Sequence, residues 1–79
     1  MYLSVIDVKP QEDYRLLLTF ENGERKIFRM KEYLDLGVFR KLRNENIFKT
    51  VHIAFDSIEW ANGIDMDPEE LYQNSIPAE

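Results

Sequence analysis

The alternation of apolar and polar positions over the first 30 residues predicts three strands. The segment from Leu3 to Val8 is short and rich in β-branched residues, and the polar segment from Lys9 to Asp13 is predicted to end it. From Tyr14 to Phe20 every second residue is apolar, which is typical of a strand with one buried face. The sequence Glu21-Asn22-Gly23-Glu24 then indicates a hairpin turn, with a return strand from Arg25 to Met30.

The length of the hairpin loop decides which residues face the core. A two-residue loop at Asn22-Gly23 would set the apolar side of the Tyr14–Phe20 strand beside Arg25, Ile27 and Arg29. A three-residue loop, with Gly23 left-handed in a bulge, sets it beside Lys26, Phe28 and Met30 instead. We therefore predict the three-residue loop, because it gives the more apolar face.

Short helical segments are predicted in the middle of the chain. Residues 31–36 have the spacing of one or two helical turns, and Gly37 is interpreted as the C-cap that ends them. Residues 38–42 and 44–48 continue with apolar positions at a similar spacing. The segment Thr50 to Phe55 is predicted as a strand in which Phe55 faces the same way as Val51 and Ile53.

The last segment is predicted as a turn, a strand and a helix. Asp56-Ser57 is the predicted turn, and the strand that follows begins at Ile58 and ends at Asn62-Gly63. Asp67 is placed to cap the N-terminus of the final helix, and Pro68 fits the first position of that helix. Pro77 is predicted to end that helix.

These elements predict an α+β fold: a mainly antiparallel sheet of four to five strands, with short helices in the middle and at the C-terminus. The 79 residues are short enough for a single domain, 1–79. Such a chain buries only about 60% of its unfolded surface, so its core must be efficient or completed by a partner. The predicted core residues are Val5, Leu16, Leu18, Phe20, Phe28, Leu34, Phe39, Leu42, Val51, Ile53, Trp60 and Leu71.

The composition predicts a soluble, cytoplasmic protein. The chain has no cysteine, whereas a secreted domain of this size usually carries disulfides. Its N-terminal residues lack the basic segment of a signal peptide, and no apolar stretch approaches the roughly 20 residues that span a bilayer.

Charge is divided unevenly along the chain. Residues 1–49 carry all ten Lys and Arg residues and eight carboxylates, whereas residues 50–79 carry seven carboxylates and no base. The basic segment could bind nucleic acid or an acidic partner, but solvated faces that attract each other within the fold are the favoured interpretation. The net charge of -5 argues against direct nucleic-acid binding.

Catalytic and metal sites are not supported by the residue patterns. His52 is the only histidine, and its place in a strand favours a structural role. The carboxylates of Asp65, Asp67, Glu69 and Glu70 are dense, but their spacing does not match a calcium loop and Asp67 already caps a helix. We predict no enzymatic activity, no catalytic residues, no cofactor and no metal site.

Several segments resemble one known family. They are Val8-Lys9-Pro10, the stretch from Leu16 to Glu24, Gly37-Val38-Phe39, and the stretch from Trp60 to Tyr72. Together they resemble the bacterial "domain of unknown function 2442" family over nearly the whole chain, with the stretch from Trp60 to Tyr72 the most specific. The resemblance implies a small α+β domain without an established catalytic activity.

The resemblance also implies a genetic setting. Short members are often encoded beside another small protein, in an arrangement similar to a toxin-antitoxin pair. The residues that match the specific motif are Trp60, Asn62, Gly63, Asp65, Asp67 and Pro68. A turn followed by a capped helix explains most of them, and Asp65 is the residue that structure explains least.

We therefore predict a non-enzymatic protein-interaction module, with the antitoxin-like member of a two-gene pair as its specific form. Its expected partner is another small protein encoded next to it. A homodimer is a further expectation, because Leu17 and Ile27 leave the outer face of the sheet partly apolar. The alternative is a small-ligand or metal-binding domain that uses the region from Trp60 to Glu70. Candidate binding residues are Trp60, Asn62 and Asp65, although a core position is favoured for Trp60.

Overall fold

The computed structural model describes residues 2–78, whose strands form two antiparallel sheets. The first sheet contains β1 (Val5–Gln11), β2 (Arg15–Phe20), β3 (Arg25–Arg29) and β7 (Ile76–Pro77), in the order β1-β2-β3-β7. The second contains β4 (His52–Ala54), β5 (Ser57–Glu59) and β6 (Asp65–Met66), in chain order. The helices are α1 (Glu45–Phe48), α2 (Pro68–Asn74) and three 3-10 segments, Glu12–Tyr14, Met30–Tyr33 and Gly37–Arg43. The predicted α+β class is confirmed, with the strands divided between two sheets.

The hairpin between β2 and β3 has the predicted three-residue loop. Leu16 pairs with Phe28, and Leu17 with Ile27. Gly23 has a φ of 92°, and its N–H donates to the Phe20 carbonyl at 2.8 Å. The register sets the apolar side of β2 beside Phe28, as the three-residue loop requires, so the two-residue alternative is excluded.

The first strand is longer than predicted. β1 continues to Gln11 and includes Pro10, so the prediction of a polar turn from Lys9 to Asp13 is wrong in its boundary. Pro10 is tolerated because β1 is an edge strand, where a missing N–H is compatible with the sheet. The chain then reverses at Asp13 and Tyr14, whose φ values of 61° and 59° are left-handed.

The middle of the chain is helical, but mostly as 3-10 turns. Gly37, with a φ of 45°, is the first residue of the 3-10 segment Gly37–Arg43, so its prediction as the C-cap of the preceding helix is wrong. The i to i+3 bonds from Leu36 to Tyr33 and from Phe39 to Leu36 explain why these short segments do not continue as one α-helix. α1 begins after Asn44, whose side chain accepts from the Asn46 N–H at 2.9 Å.

The C-terminal third contains two strands that the sequence pattern did not predict, β6 and β7. α2 begins as predicted, because the Asp67 carboxylate accepts from the Glu69 N–H at 3.2 Å and Pro68 follows the cap. The helix ends at Asn74 rather than at Pro77. Pro77 instead lies in β7, where it pairs with Lys26 of β3. Ile76 in β7 lies opposite Ile27 but remains exposed, and Leu17 and Ile27 are only half-buried.

The core draws side chains from both sheets and from the helices. Ten of the twelve predicted core residues are buried. Phe39 is only partly buried. The prediction of a core position for Ile53 is wrong, because this residue is 40% exposed on the edge strand β4. Core residues that were not predicted are Met30, Phe48, Ile58 and Met66. Within residues 2–78, no helix is long and apolar enough to cross a membrane.

Candidate functional site

Trp60, the first of the three predicted binding residues, is a core residue. Its side chain is 1% exposed and packs against Phe48, with the ring centroids 6.4 Å apart. The indole N–H donates to the Phe48 carbonyl at 3.0 Å. The favoured core interpretation is therefore confirmed, because the ring is buried and its polar atom is hydrogen-bonded within the fold.

Asn62 forms part of a turn that repeats the geometry of the β2–β3 hairpin. Its Oδ1 accepts from the Ile64 N–H at 3.3 Å, while the Gly63 N–H donates to the Trp60 carbonyl at 2.9 Å. Gly63 has a φ of 89°. In the earlier hairpin, Asn22 and Gly23 make the equivalent bonds to Glu24 and Phe20. A shared aromatic-x-Asn-Gly-x sequence thus produces the same loop twice, which gives Asn62 a structural role.

Asp65 is exposed and has no such role. It lies on β6 directly opposite Glu59, so the two carboxylates are neighbours on one face of the second sheet. Like charges placed opposite each other destabilise a sheet. The next residue in the same row is His52, whose Nε2 lies 3.4 Å from a Glu59 oxygen. A protonated His52 would offset only the Glu59 side of this acidic pair.

Asp65 lines two hollows in the surface. One, of about 320 Å³, is lined by residues that include Glu59, Asp65, Asp67 and Phe55; we call it the acidic hollow. The other, of about 330 Å³, brings Asp65 and Asn62 together with Lys41; we call it the Lys41 hollow. The structure thus joins two of the three predicted residues, Asn62 and Asp65, at the Lys41 hollow, and Trp60 does not contribute to either.

The residue that sequence reasoning missed is Phe55, beside the acidic hollow. Ala54 pairs with Ser57, so Phe55 and Asp56 form the two-residue turn between β4 and β5, which we call the Phe55 turn. Their φ values of 52° and 68° are both left-handed, as in a type I′ turn. The Phe55 side chain is 95% exposed. The predictions of a strand position for Phe55 and of a turn at Asp56-Ser57 are therefore wrong by one residue.

Ser57 explains why the turn between β4 and β5 lies one residue earlier than predicted. Its side chain is buried, and its hydroxyl donates to the Met66 carbonyl across the second sheet. Ser57 must therefore lie in β5, which moves the turn back onto Phe55. No local sequence signal indicates this, because Asp-Ser is a common turn sequence and Phe-Asp is not.

The Phe55 turn is held in place by the N-terminal segment. The Asp56 carbonyl accepts from the Val5 N–H at 3.0 Å, and its carboxylate accepts from the Tyr2 hydroxyl at 3.2 Å. The hydrogen bond to Asp56, and then its negative charge, raise the pKa of Tyr2 above the ordinary value of 10.0. Tyr2 and Ile6 are themselves exposed apolar side chains next to these contacts. The turn is thus held by two hydrogen bonds from the N-terminal segment to Asp56, the residue next to Phe55.

A larger hollow of about 730 Å³ lies elsewhere, between β1 and α1. Its walls carry charges of both signs, including Glu12, Glu45, Arg15 and Lys49. This mixed lining does not select one class of ligand. Among residues 2–78, no three histidine or acidic side chains are arranged to hold a metal ion.

The comparisons with known proteins identify a family. The model of the family described as "Protein of unknown function (DUF2442)" matches residues 5–77. No curated protein and no solved structure matches the chain. The matched residues include the two Asn-Gly loops, the Phe55 turn and the capped helix α2.

Proposed function

This chain belongs to the DUF2442 family, and we propose that it is a non-enzymatic protein-interaction module that binds a basic partner protein through the Phe55 turn. One observation carries the proposal: a phenylalanine is 95% exposed on a left-handed turn. A side chain with so little contact contributes almost nothing to the core.

The energy of the turn supports a role in binding. A left-handed conformation costs roughly 1–2 kcal/mol for a residue with a Cβ atom, and type I′ turns favour Asn and Gly for this reason. Phe55 adds the exposure of a large apolar ring to that strain. Aromatic residues are enriched in protein interfaces, and a backbone that is already fixed loses little conformational entropy on binding.

The charge around Phe55 defines the expected partner. Asp56 is its neighbour in the turn, and Glu59, Asp65 and Asp67 border the adjacent hollow. The partner surface is therefore expected to present an apolar pocket for Phe55, surrounded by Lys or Arg side chains. An arginine could also stack on the exposed ring.

The specific form of the proposal is an antitoxin-like role in a two-gene pair. The partner is then the small protein encoded beside this chain, as the family resemblance in the sequence implies. An acidic module that covers a basic partner is consistent with the seven carboxylates and no base of residues 50–79.

The test is a pull-down from the source cell at native expression, with nuclease treatment and physiological salt. Wild type is compared with Phe55→Asn and with Leu36→Asn, a control that also removes an exposed apolar side chain. We expect one stoichiometric basic protein with wild type and with the control, and its loss with Phe55→Asn. An unchanged set of proteins with Phe55→Asn, or an empty pull-down with wild type, contradicts the proposal.

The antitoxin-like form has a separate test in growing cells. Expression of the neighbouring gene alone is expected to slow growth, and co-expression of the wild-type chain to restore it. Phe55→Asn should fail to restore growth, whereas Leu36→Asn should succeed. If the neighbouring gene does not affect growth, the antitoxin-like form is wrong, while the interaction module is judged by the pull-down.

A second candidate function is small-ligand binding at the Lys41 hollow. The observation in its favour is that Lys41, Asn62 and Asp65 place a cation, an amide and a carboxylate around about 330 Å³. A ligand of the native state must raise the melting temperature. A thermal-shift screen of metabolites is expected to give a hit that Lys41→Ala removes; a screen without any hit rejects this candidate.

A further inference from the structure

The outer face of the first sheet carries a second set of features that the fold does not explain. β-Strand register places Lys9, Leu17, Ile27 and Ile76 side by side in one row across all four strands. Leu17 and Ile27 are half-buried and Ile76 is exposed, so the described part of the chain leaves this row open to solvent. The row is an apolar centre with a lysine at one end.

Arginines border this row on both sides. Arg15 and Arg29 lie directly opposite each other in the row on one side. On the other side, Arg25 lies opposite Thr19, which in turn lies opposite Asp7. We call these three rows the outer sheet face. It holds four cations, Lys9, Arg15, Arg25 and Arg29, against the single carboxylate of Asp7.

The Arg15–Arg29 pair works against folding. Like charges directly opposite each other in an antiparallel sheet are destabilising. Among residues 2–78, the only acidic partner of Arg29 is Glu32, with 3.8 Å between the charged atoms and both side chains mostly exposed. Such an exposed contact contributes little. An anionic group from outside the chain would therefore neutralise the repulsion between these two arginines.

We propose that the outer sheet face binds an acidic segment of a partner protein, one with apolar side chains between its Asp or Glu residues. The apolar row receives the apolar side chains, and the arginines on either side pair with the carboxylates. Arginine suits this role because its planar group binds a carboxylate through two parallel hydrogen bonds.

Two other occupants fit the face less well. A second copy that used the same face about a two-fold axis would set its four cations against four others. A nucleic acid would use the cations, but single-stranded recognition relies on aromatic side chains that stack on bases, and the central row is aliphatic. An acidic, partly apolar protein segment uses both the charge and the apolar row.

The experiment is an NMR titration of the full chain, labelled with nitrogen-15. The first probe is a synthetic peptide of alternating leucine and glutamate, and the second is the same peptide with lysine in place of glutamate. We expect the acidic peptide to shift the amide signals of Leu17, Ile27 and their strand neighbours, with sub-millimolar affinity. We expect no such shifts from the lysine peptide.

Variants separate binding from folding. Arg15→Glu is expected to weaken peptide binding at least tenfold, yet to raise the melting temperature by about 2–4 °C, because it replaces a like-charge pair with an opposite-charge pair. Arg40→Glu makes the same change of charge on an exposed residue outside the face, and should leave binding within twofold.

Four results would overturn the proposal. They are no shifts at millimolar acidic peptide, equal shifts with the lysine peptide, retained binding by Arg15→Glu, and tighter binding of a short DNA duplex or single strand than of the acidic peptide. Shifts that depend on protein concentration without peptide would assign the face to a second copy instead.

Discussion

At the scale of single residues, the molecule separates side chains that the fold uses from those that it does not. Trp60 and Phe55 are the two extremes, since one is 1% exposed and hydrogen-bonded and the other is 95% exposed. The core position of Trp60 could be predicted, because a small domain tends to bury its tryptophan. The position of Phe55 could not be predicted, because it depends on the bond from Ser57 to a strand nine residues away.

We predict that Phe55→Asn stabilises the fold. Asparagine adopts the left-handed conformation more readily than phenylalanine, and the exposed ring contributes no packing that would be lost. The free energy of unfolding should rise by about 1 kcal/mol, or about 4–8 °C in melting temperature for a domain of this size. Thermal unfolding followed by circular dichroism measures it, and a lower melting temperature would show that the ring stabilises the fold after all.

The opposite result is expected at Trp60. Trp60→Phe leaves the buried Phe48 carbonyl without its donor and opens a cavity, so the free energy of unfolding should fall by about 2–4 kcal/mol. Denaturant unfolding measures the change. A loss below about 0.5 kcal/mol, the range of ordinary surface substitutions, would mean that the indole is not part of the core.

At the scale of elements, the sequence predicts those that have a long pattern and misses those that lack one. The register of β2 and β3 follows from several alternating apolar positions, and a slip of one residue would expose all of them. β6 and β7 contain two residues each, which is too short for any periodicity. Their place is set by pairing with Ile58 and Ile27, and pairing across the fold cannot be found in a local pattern.

The two Asn-Gly loops should respond alike to substitution. Gly23 and Gly63 have φ values of 92° and 89°, and an added Cβ atom would meet nothing within 4 Å at either position. The effect of an alanine is therefore the backbone strain alone, about 1 kcal/mol in each case. Equilibrium unfolding of Gly23→Ala and Gly63→Ala tests this, and losses that differ by more than about 1 kcal/mol would show that the loops are not equivalent.

At the scale of the whole molecule, several contacts made by Tyr72 join the β2–β3 hairpin to the C-terminal helix. The Tyr72 hydroxyl on α2 donates to a Glu24 oxygen, and Lys26 lies 3.9 Å from the Tyr72 ring centroid while donating to its carbonyl. Hydrogen bonds from Tyr72 and then Asn22 hold the pKa of Glu24 below its ordinary 4.5. The bond to Glu24, and then burial, raise the pKa of Tyr72 above its ordinary 10.0.

These two shifts define a pH window for stability. Because the pKa of Glu24 is lower in the folded state, its contribution is present above pH 4.5 and is lost as the pH falls through the folded pKa. Because the pKa of Tyr72 is higher in the folded state, its contribution is present below pH 10.0 and is lost as the pH rises through the folded pKa. Wild type should therefore exceed Tyr72→Phe in stability by a margin that is largest between these limits. Unfolding measured across this range tests it, and a margin that does not vary with pH would contradict the contact.

Charge is the other property of the whole molecule. The uneven division along the sequence becomes two surfaces, an acidic one beside Phe55 and a basic one on the outer sheet face. The sequence indicated the division but not its use, because attraction between the two charged faces within the fold was the favoured interpretation. The Glu59–Asp65 and Arg15–Arg29 pairs are consistent with the two proposed partners, since each sets like charges opposite each other.

The central claim is that Phe55 anchors the interface with a partner protein. The most direct measurement is the affinity of the co-purified partner for wild type and for Phe55→Asn. Titration calorimetry with both purified proteins gives the two dissociation constants. If Phe55 is the anchor of the interface, the variant should bind at least about 30-fold more weakly, as expected for a hot-spot residue, although it is the more stable protein. Dissociation constants that agree within twofold would contradict the account.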